Sequence, residues 1–190
     1  MAKTSARLIA AYIAKAHEQV LQLAADLPEQ ALRWQAGPPA PAIRFHLWHL
    51  ARWADTMQAR LPGLTPDLAG RLGAAEEVWV AEGLARRWGL TPGRLGGGDT
   101  GMGPDDDASG ALPLPDREAL LAYARRAFAA AEQRLAMLGP ADLDAPSTDL
   151  YGNANIVGGV LLSHLVHVNR HLGMIEALRG VQGARGTATW

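Results

Sequence analysis

The chain has 190 residues, of which 48% are hydrophobic, enough to bury a sizeable core. Its 18 Lys and Arg residues and 19 Asp and Glu residues give a net charge of −1, so the sequence lacks the basic surface that binding to nucleic acid or to an anionic membrane usually needs. Because it has no cysteine, it has no disulfide, zinc–thiolate site or thiol nucleophile of its own. We expect a cytoplasmic protein, since no segment approaches the roughly 20 apolar residues of a membrane span and the N-terminus is typical of a helix rather than a signal peptide.

Four long amphipathic helices are predicted, and the alternating pattern of strands is nearly absent. Pro28 ends the first helix, Pro62 and Gly63 end the second, and Gly139 and Pro140 end the third. The predicted helices span about residues 9–27, 44–61, 121–138 and from 155 or 156 to 178. This order predicts an all-α four-helix bundle, with residues 1–190 forming one domain.

A long insert, residues 62–114, separates the second and third predicted helices. Its first half can be helical, whereas residues 93–110 are rich in Gly and Asp and have no apolar period. Burial of apolar side chains cannot offset the conformational entropy that such a segment would lose on becoming ordered, so we expect a mobile loop or lid there. The acidic run at 105–107 lacks the spacing of a calcium loop and is expected to be solvated.

Five of the six histidines lie in two predicted helices at helical spacing. In the fourth helix, His164, His167 and His171 share one face with apolar residues, and in the second helix His46 and His49 are three residues apart. Buried imidazoles need partners, and histidines on successive turns can offer two nitrogens to one metal ion. The spacing therefore predicts a metal site between the two helices. Because three ligands are enough, His164 and His46 are expected to be neighbours of the ion, alternative ligands or structural residues.

Other polar and aromatic candidates favour structural roles. His17 is alone in the first helix and is expected to be a core histidine bonded to backbone carbonyls. Asp55 follows His49 by six residues, which places it on another side of the helix, so we expect a surface carboxylate rather than a ligand of the same ion. Three tryptophans are expected to make core or dimer contacts: Trp34, Trp48 and Trp53.

The segments HLWHLARWAD and HLVHVNRHLGMIEALRG resemble the two signature helices of the DinB/YfiT-like proteins. The resemblance implies a four-helix bundle, generally homodimeric, with a metal ion held by one histidine of the second helix and two of the last. On this sequence those histidines are His49, His167 and His171, and His164 occupies a position that is often also histidine. Relatives often carry TGMG followed by histidine in the middle segment; here Pro104 follows, so the resemblance assigns that loop no role.

The same resemblance implies a reaction class. Relatives include transferases and isomerases that use thiols such as bacillithiol or mycothiol, and an open metal position can activate water or a thiol. We therefore expect a metal-dependent hydrolase or thiol S-transferase that uses a divalent ion, zinc or nickel and otherwise iron, and a low-molecular-weight thiol that the chain itself cannot supply. The alternative is a non-catalytic stress-response protein in which the metal only braces the bundle.

A homodimer is expected on two grounds. The first and third predicted helices carry apolar residues outside the apolar face that packs into the bundle, and such residues are commonly buried between identical subunits. These residues are Leu8, Leu21, Leu120 and Tyr123. The resemblance to the DinB/YfiT-like proteins also implies a homodimer.

Overall fold

The structure is a computed structural model that describes residues 4–38, 40–103, 109, 112–149 and 151–185. Its four long helices are α1 (Ser5–Ala25), α3 (Ile43–Arg60), α7 (Arg117–Leu135) and α9 (Val157–Val181). Shorter helices connect them: α2 (Glu29–Arg33), α4 (Pro66–Leu72), α5 (Val78–Ala81), α6 (Leu84–Arg87) and α8 (Pro140–Leu143), with a 3-10 turn at Leu61–Leu64. The predicted all-α four-helix bundle with a long insert is confirmed.

The helix ends follow the capping chemistry of the sequence. Thr4 caps α1 by accepting a hydrogen bond from the amide of Arg7, and Asp116 caps α7 by accepting one from the amide of Ala119 at 2.9 Å. Because Asp116 is a strong cap, α7 begins four residues before the predicted start at 121. The second helix lies within one residue of its predicted bounds.

A short hairpin before α9 was not predicted. Strands β1 (Pro146–Thr148) and β2 (Ala154–Ile156) pair antiparallel, with Ser147 opposite Asn155. Three-residue strands are too short to give a detectable alternation of apolar and polar residues. The hairpin leads directly into α9, because the amide of Val157 donates to the carbonyl of Ala145 at 3.0 Å.

The core lies between the four long helices and uses more of their surface than the sequence indicated. Leu120 and Tyr123 are 1% and 0% exposed, so they belong to the core of the chain itself. The prediction that they form spare surface for a dimer is therefore wrong. Leu8 does remain exposed, at 43%, and Leu21 is partly buried against the core.

The insert is anchored to the bundle by Asp55, whose side chain is fully buried. Its carboxylate accepts hydrogen bonds from the amides of Val78 and Trp79, at 2.9 and 2.8 Å, and from the hydroxyl of Tyr123 at 3.1 Å. The prediction of a surface carboxylate is wrong because the insert folds back over this side of α3 and supplies donors that replace water.

Residues 93–103 pack against α3 instead of forming a mobile lid. Leu95 and Thr100 are 4% and 2% exposed, and Arg52 donates to the carbonyls of Gly98 and Asp99 at 3.1 and 2.9 Å. The prediction of a loop without burial is wrong for this part, since Leu95 joins the hydrophobic core and Arg52 binds the backbone carbonyls. The acidic run at 105–107 lies outside the described residues.

In the described part of the chain, none of the helices has both the length and the apolar character that crossing a membrane would require.

Candidate metal centre

Helices α3 and α9 bring His49, His167 and His171 together. Each ring offers one nitrogen, and these nitrogens lie within 4.8 Å of one another. His49 is buried and the other two rings are half-buried. The two helices run antiparallel, because His46 and His49 of α3 face His171 and His167 of α9 in reverse order.

His49 is oriented by the insert. Its Nδ1 lies 2.5 Å from the carbonyl oxygen of Thr100. Because a carbonyl can only accept, Nδ1 carries the proton, and the lone pair of the neutral ring is on Nε2. A hydrogen bond at the outer nitrogen is how a metal-binding histidine is usually fixed in its tautomer.

His167 faces that lone pair. Its Nε2 lies 3.0 Å from Nε2 of His49, and its buried Nδ1 has no hydrogen-bond partner among the described residues. Two imidazole nitrogens bound to one ion at about 2.0–2.1 Å would be about 3.0–3.4 Å apart, depending on the coordination angle. The observed separation therefore fits two ligands of one cation.

His171 is positioned by His46. Their Nδ1 atoms are 2.9 Å apart, so one ring donates to the other. When His171 donates, its Nε2 keeps a lone pair for the centre shared with His49 and His167. His46, which is buried, thus contacts a ring of the triad from outside it.

Burial keeps these rings neutral. It is the largest cause that lowers the pKa of His46, His49 and His167 to about 4, and burial together with the neighbouring histidines and Arg170 lowers the pKa of His171 to about 2. Neutral imidazole is the form that binds metal, so the rings need lose no proton at pH 7. An all-imidazole donor set suits zinc, nickel or iron, whereas calcium and magnesium prefer oxygen.

His164 points away from this centre into a second chain of hydrogen bonds. Its Nε2 lies 3.4 Å from Nε2 of His17, whose Nδ1 donates to a carboxylate oxygen of Glu132 at 3.0 Å. The ring of His17 also stacks on Phe128, with centroids 4.1 Å apart. The expectation that His17 bonds to backbone carbonyls is therefore wrong, because α7 and α9 supply side-chain partners.

Thr100 and Gly101 take part in this centre although neither was predicted as a site residue. Gly101 has a φ of +81°, and a Cβ there would lie 2.8 Å from the ring of Trp48 and 3.1 Å from Nδ1 of His49. Only glycine lets the backbone approach the histidine this closely without strain. The TGMG sequence was the one indication of this contact. The group that contacts His49 is a backbone carbonyl, which every residue type carries, so the residue type does not reveal it.

The centre opens onto a cavity of about 400 Å³ between α3 and α9. The cavity volume lies in the range that holds small organic ligands. Trp53, predicted as a core or dimer contact, lines this cavity, whereas Trp48 is fully buried. His49 and His167 lie in its wall, together with His164.

The sequence profile of the DinB superfamily matches residues 12–175, which include both histidine-bearing helices and the insert. The chain belongs to the DinB superfamily. The crystal structure of a conserved protein from Enterococcus faecalis has the same fold: it superposes with a TM-score of 0.76, over 96% of this chain and 99% of that one, at 15% sequence identity. No curated protein matches the sequence.

Membership in the DinB superfamily confirms the family that the two histidine segments indicated, and with it the bundle. Identity as low as 15% to the Enterococcus faecalis protein carries information about the fold alone. The function of this DinB-superfamily chain must therefore be inferred from the histidine centre and its cavity.

Proposed function

We propose that the protein is a metal-dependent enzyme, a hydrolase or a thiol S-transferase, whose divalent ion is held by His49, His167 and His171. The observation that carries the proposal is the grouping of the three rings together with the position of two of them, His49 and His167, in the wall of a 400 Å³ cavity. An ion that only braced the bundle would need no space for a second molecule beside it. We favour zinc or nickel for an all-imidazole centre, with iron as the further candidate.

When bound, the ion would act as a Lewis acid that favours the deprotonated form of a water or thiol ligand. The protein's own contribution is orientation and exclusion of water. The Thr100 carbonyl holds the tautomer of His49, and His46 holds the ring of His171. Because the chain has no cysteine, any thiol must enter through the cavity as a separate molecule.

Metal content tests the ligand assignment. Wild-type protein incubated with Zn²⁺ or Ni²⁺ and freed of excess ion should retain one ion per chain. His167→Ala and His171→Ala should each retain almost none, while His17→Gln, a change at a buried histidine outside the triad, should retain one. Full occupancy in the His167 variant would refute the assignment.

Turnover tests the enzyme against the bracing protein. The loaded protein is given bacillithiol or mycothiol with a chloroalkyl electrophile, so that a carbon–sulfur bond forms as chloride leaves; separately it is given an activated ester, to whose carbonyl water adds as the alcohol leaves. We expect one of these rates to exceed that of His167→Ala. If neither does while wild type holds its ion, the bracing function is favoured.

We also infer a homodimer, because apolar side chains remain exposed on the long helices. Leu162 and Val166 are 48% and 59% exposed on α9, and Tyr12 is 60% exposed on α1. Apolar surface of this kind is commonly buried between identical subunits. Sedimentation equilibrium at micromolar concentration should give a mass near twice 20.2 kDa, and Val166→Asp should give the monomer mass. A monomeric wild type would refute the inference.

A further inference from the structure

The cavity beside the histidines is a slot with two chemically different ends. Its lining residues on α3 and the turn that follows are His49, Trp53, Thr56, Met57, Arg60, Leu61 and Leu64. Those on α3 recur at helical spacing, so they form one stripe along the helix. Arg60 follows His49 by 11 residues, which is about 16 Å along the axis.

Helix α9 forms the opposite wall, and its lining residues run in the direction opposite to those of α3. Val160, Ser163, His164 and His167 of α9 line the cavity at helical spacing. Because α9 runs antiparallel to α3, His167 faces His49 at one end, and Val160 lies toward Arg60 at the other. The hairpin before α9 also lines the cavity, through Thr148, Asp149, Tyr151 and Asn155, and the hydroxyl of Tyr151 lies 3.9 Å from Sδ of Met102.

The middle of the slot is apolar. Between the histidines and Arg60 it is lined by Trp53, Met57 and Val160, with Leu61 and Leu64 near the far end. These side chains offer contact to a hydrocarbon or ring system, and the polar groups among them are few: the indole nitrogen of Trp53 and the hydroxyls of Thr56 and Ser163. A molecule that fills the slot must therefore be apolar over much of its length.

Among the described residues that line the cavity, Arg60 is the one arginine, and there is no lysine. Its side chain makes no hydrogen bond or ion pair with the described residues. The carboxylate of Asp149, which also lines the cavity, accepts hydrogen bonds from the amides of Tyr151 and Asn153, at 2.8 and 2.9 Å, and from the side-chain amide of Asn153 at 2.9 Å. The cavity lining thus presents one guanidinium that has no counter-ion among the described residues and one carboxylate that is hydrogen-bonded within the hairpin.

We propose that the slot binds an elongated apolar molecule that carries a single carboxylate at the end farther from the histidines, with Arg60 as its counter-ion. The planar guanidinium matches the two oxygens of a carboxylate. This inference names a substrate class for the proposed enzyme and rests on that function for its biological meaning. The binding itself requires no metal.

Calorimetric titration of the chelator-treated protein with octanoate tests the proposal. Octanoate should bind more tightly than octan-1-ol, and each methylene added from butanoate to octanoate should tighten binding about threefold to fourfold. Arg60→Gln should weaken octanoate binding about threefold to fivefold, as expected for an exposed ion pair, and leave octan-1-ol unchanged. Arg86→Gln, at an arginine outside the lining, should change neither.

Two results would overturn the proposal: octanoate binding that Arg60→Gln leaves unaltered, or octan-1-ol binding as tightly as octanoate. Both are measured without metal, so they are independent of whether the histidines hold an ion. Full metal occupancy in the triad variants together with intact octanoate binding would instead count against the proposed function alone.

Discussion

Helix α3 carries two buried polar clusters one turn apart, and they differ in how far the protein satisfies them. Arg52 donates to Asp55, Glu77 and Tyr123 as well as to two backbone carbonyls. Each oxygen of Asp55 accepts at least two hydrogen bonds. In the histidine cluster, by contrast, ring nitrogens face other ring nitrogens.

The difference separates a structural cluster from a candidate site. Buried polar groups are nearly always hydrogen-bonded, so the cluster around Arg52 needs nothing more to be stable. Nε2 of His49 and Nε2 of His167 lie 3.0 Å apart, and Nδ1 of His167 is buried without a partner among the described residues. A cation bound by the facing nitrogens would complete the second cluster, whereas it would disrupt the first.

The largest stability effect is expected in the complete cluster. Asp55→Ala should lower the free energy of unfolding of the metal-free protein by about 3–5 kcal/mol, because it removes one of the two carboxylates paired with the buried Arg52 and leaves two insert amides and the Tyr123 hydroxyl without their acceptor. Asp67→Asn, at an exposed carboxylate paired with Arg71, should cost less than about 1 kcal/mol. Urea denaturation measures both. An Asp55 variant as stable as the Asp67 variant would contradict the comparison.

A smaller effect is expected where the two clusters meet, at the turn that positions His49. Gly101→Ala should weaken metal affinity about 10-fold to 100-fold, because its Cβ would displace the Thr100 carbonyl that orients the ring. Gly103→Ala is a matched control, since φ there is +91° but a Cβ would contact nothing within 4 Å. Competition with a chelator of known affinity gives both values. Equal losses would show that backbone strain, not His49, is responsible.

A separate effect is a pH dependence of the stability of the metal-free protein. Burial lowers the pKa of His46 and His49 from about 6.5 in the unfolded chain to about 4 in the folded one. The unfolded chain therefore binds more protons between these values, and the free energy of unfolding should fall as pH drops from 6.5 to 4, by at most about 1.4 kcal/mol per pH unit for each histidine.

The contribution of His46 to this pH dependence can be separated from the contributions of other titratable groups. His46→Gln should reduce the slope of unfolding free energy against pH by about one proton in that window, as measured by denaturant titrations at successive pH values. An unchanged slope would show that His46 is not held neutral by the fold.

The fold and the grouping of histidines were accessible from sequence because both are local properties. Helical periodicity places His164, His167 and His171 on one face whatever the rest of the chain does. It also predicted the order of the long helices. The bounds were less accurate where a cap such as Asp116 extended a helix beyond its apolar stripe.

The rest depends on contacts between segments far apart in the chain. Asp55 looked solvated because its donors come from residues 78, 79 and 123. Thr100 contributes through a backbone atom, which no residue pattern marks. His17 seemed isolated because its partners, Glu132 and His164, belong to two other helices. Local periodicity cannot identify any of these pairings.

The central claim is that His49, His167 and His171 together hold one divalent ion. X-ray absorption spectroscopy of the loaded protein tests it most directly, because imidazole rings give a characteristic scattering pattern. We predict three imidazole nitrogens at about 2.0–2.2 Å from the metal, reduced to two in His171→Ala samples that are kept loaded by excess ion. A spectrum dominated by carboxylate oxygens, or one that His171→Ala leaves unchanged, would contradict the account.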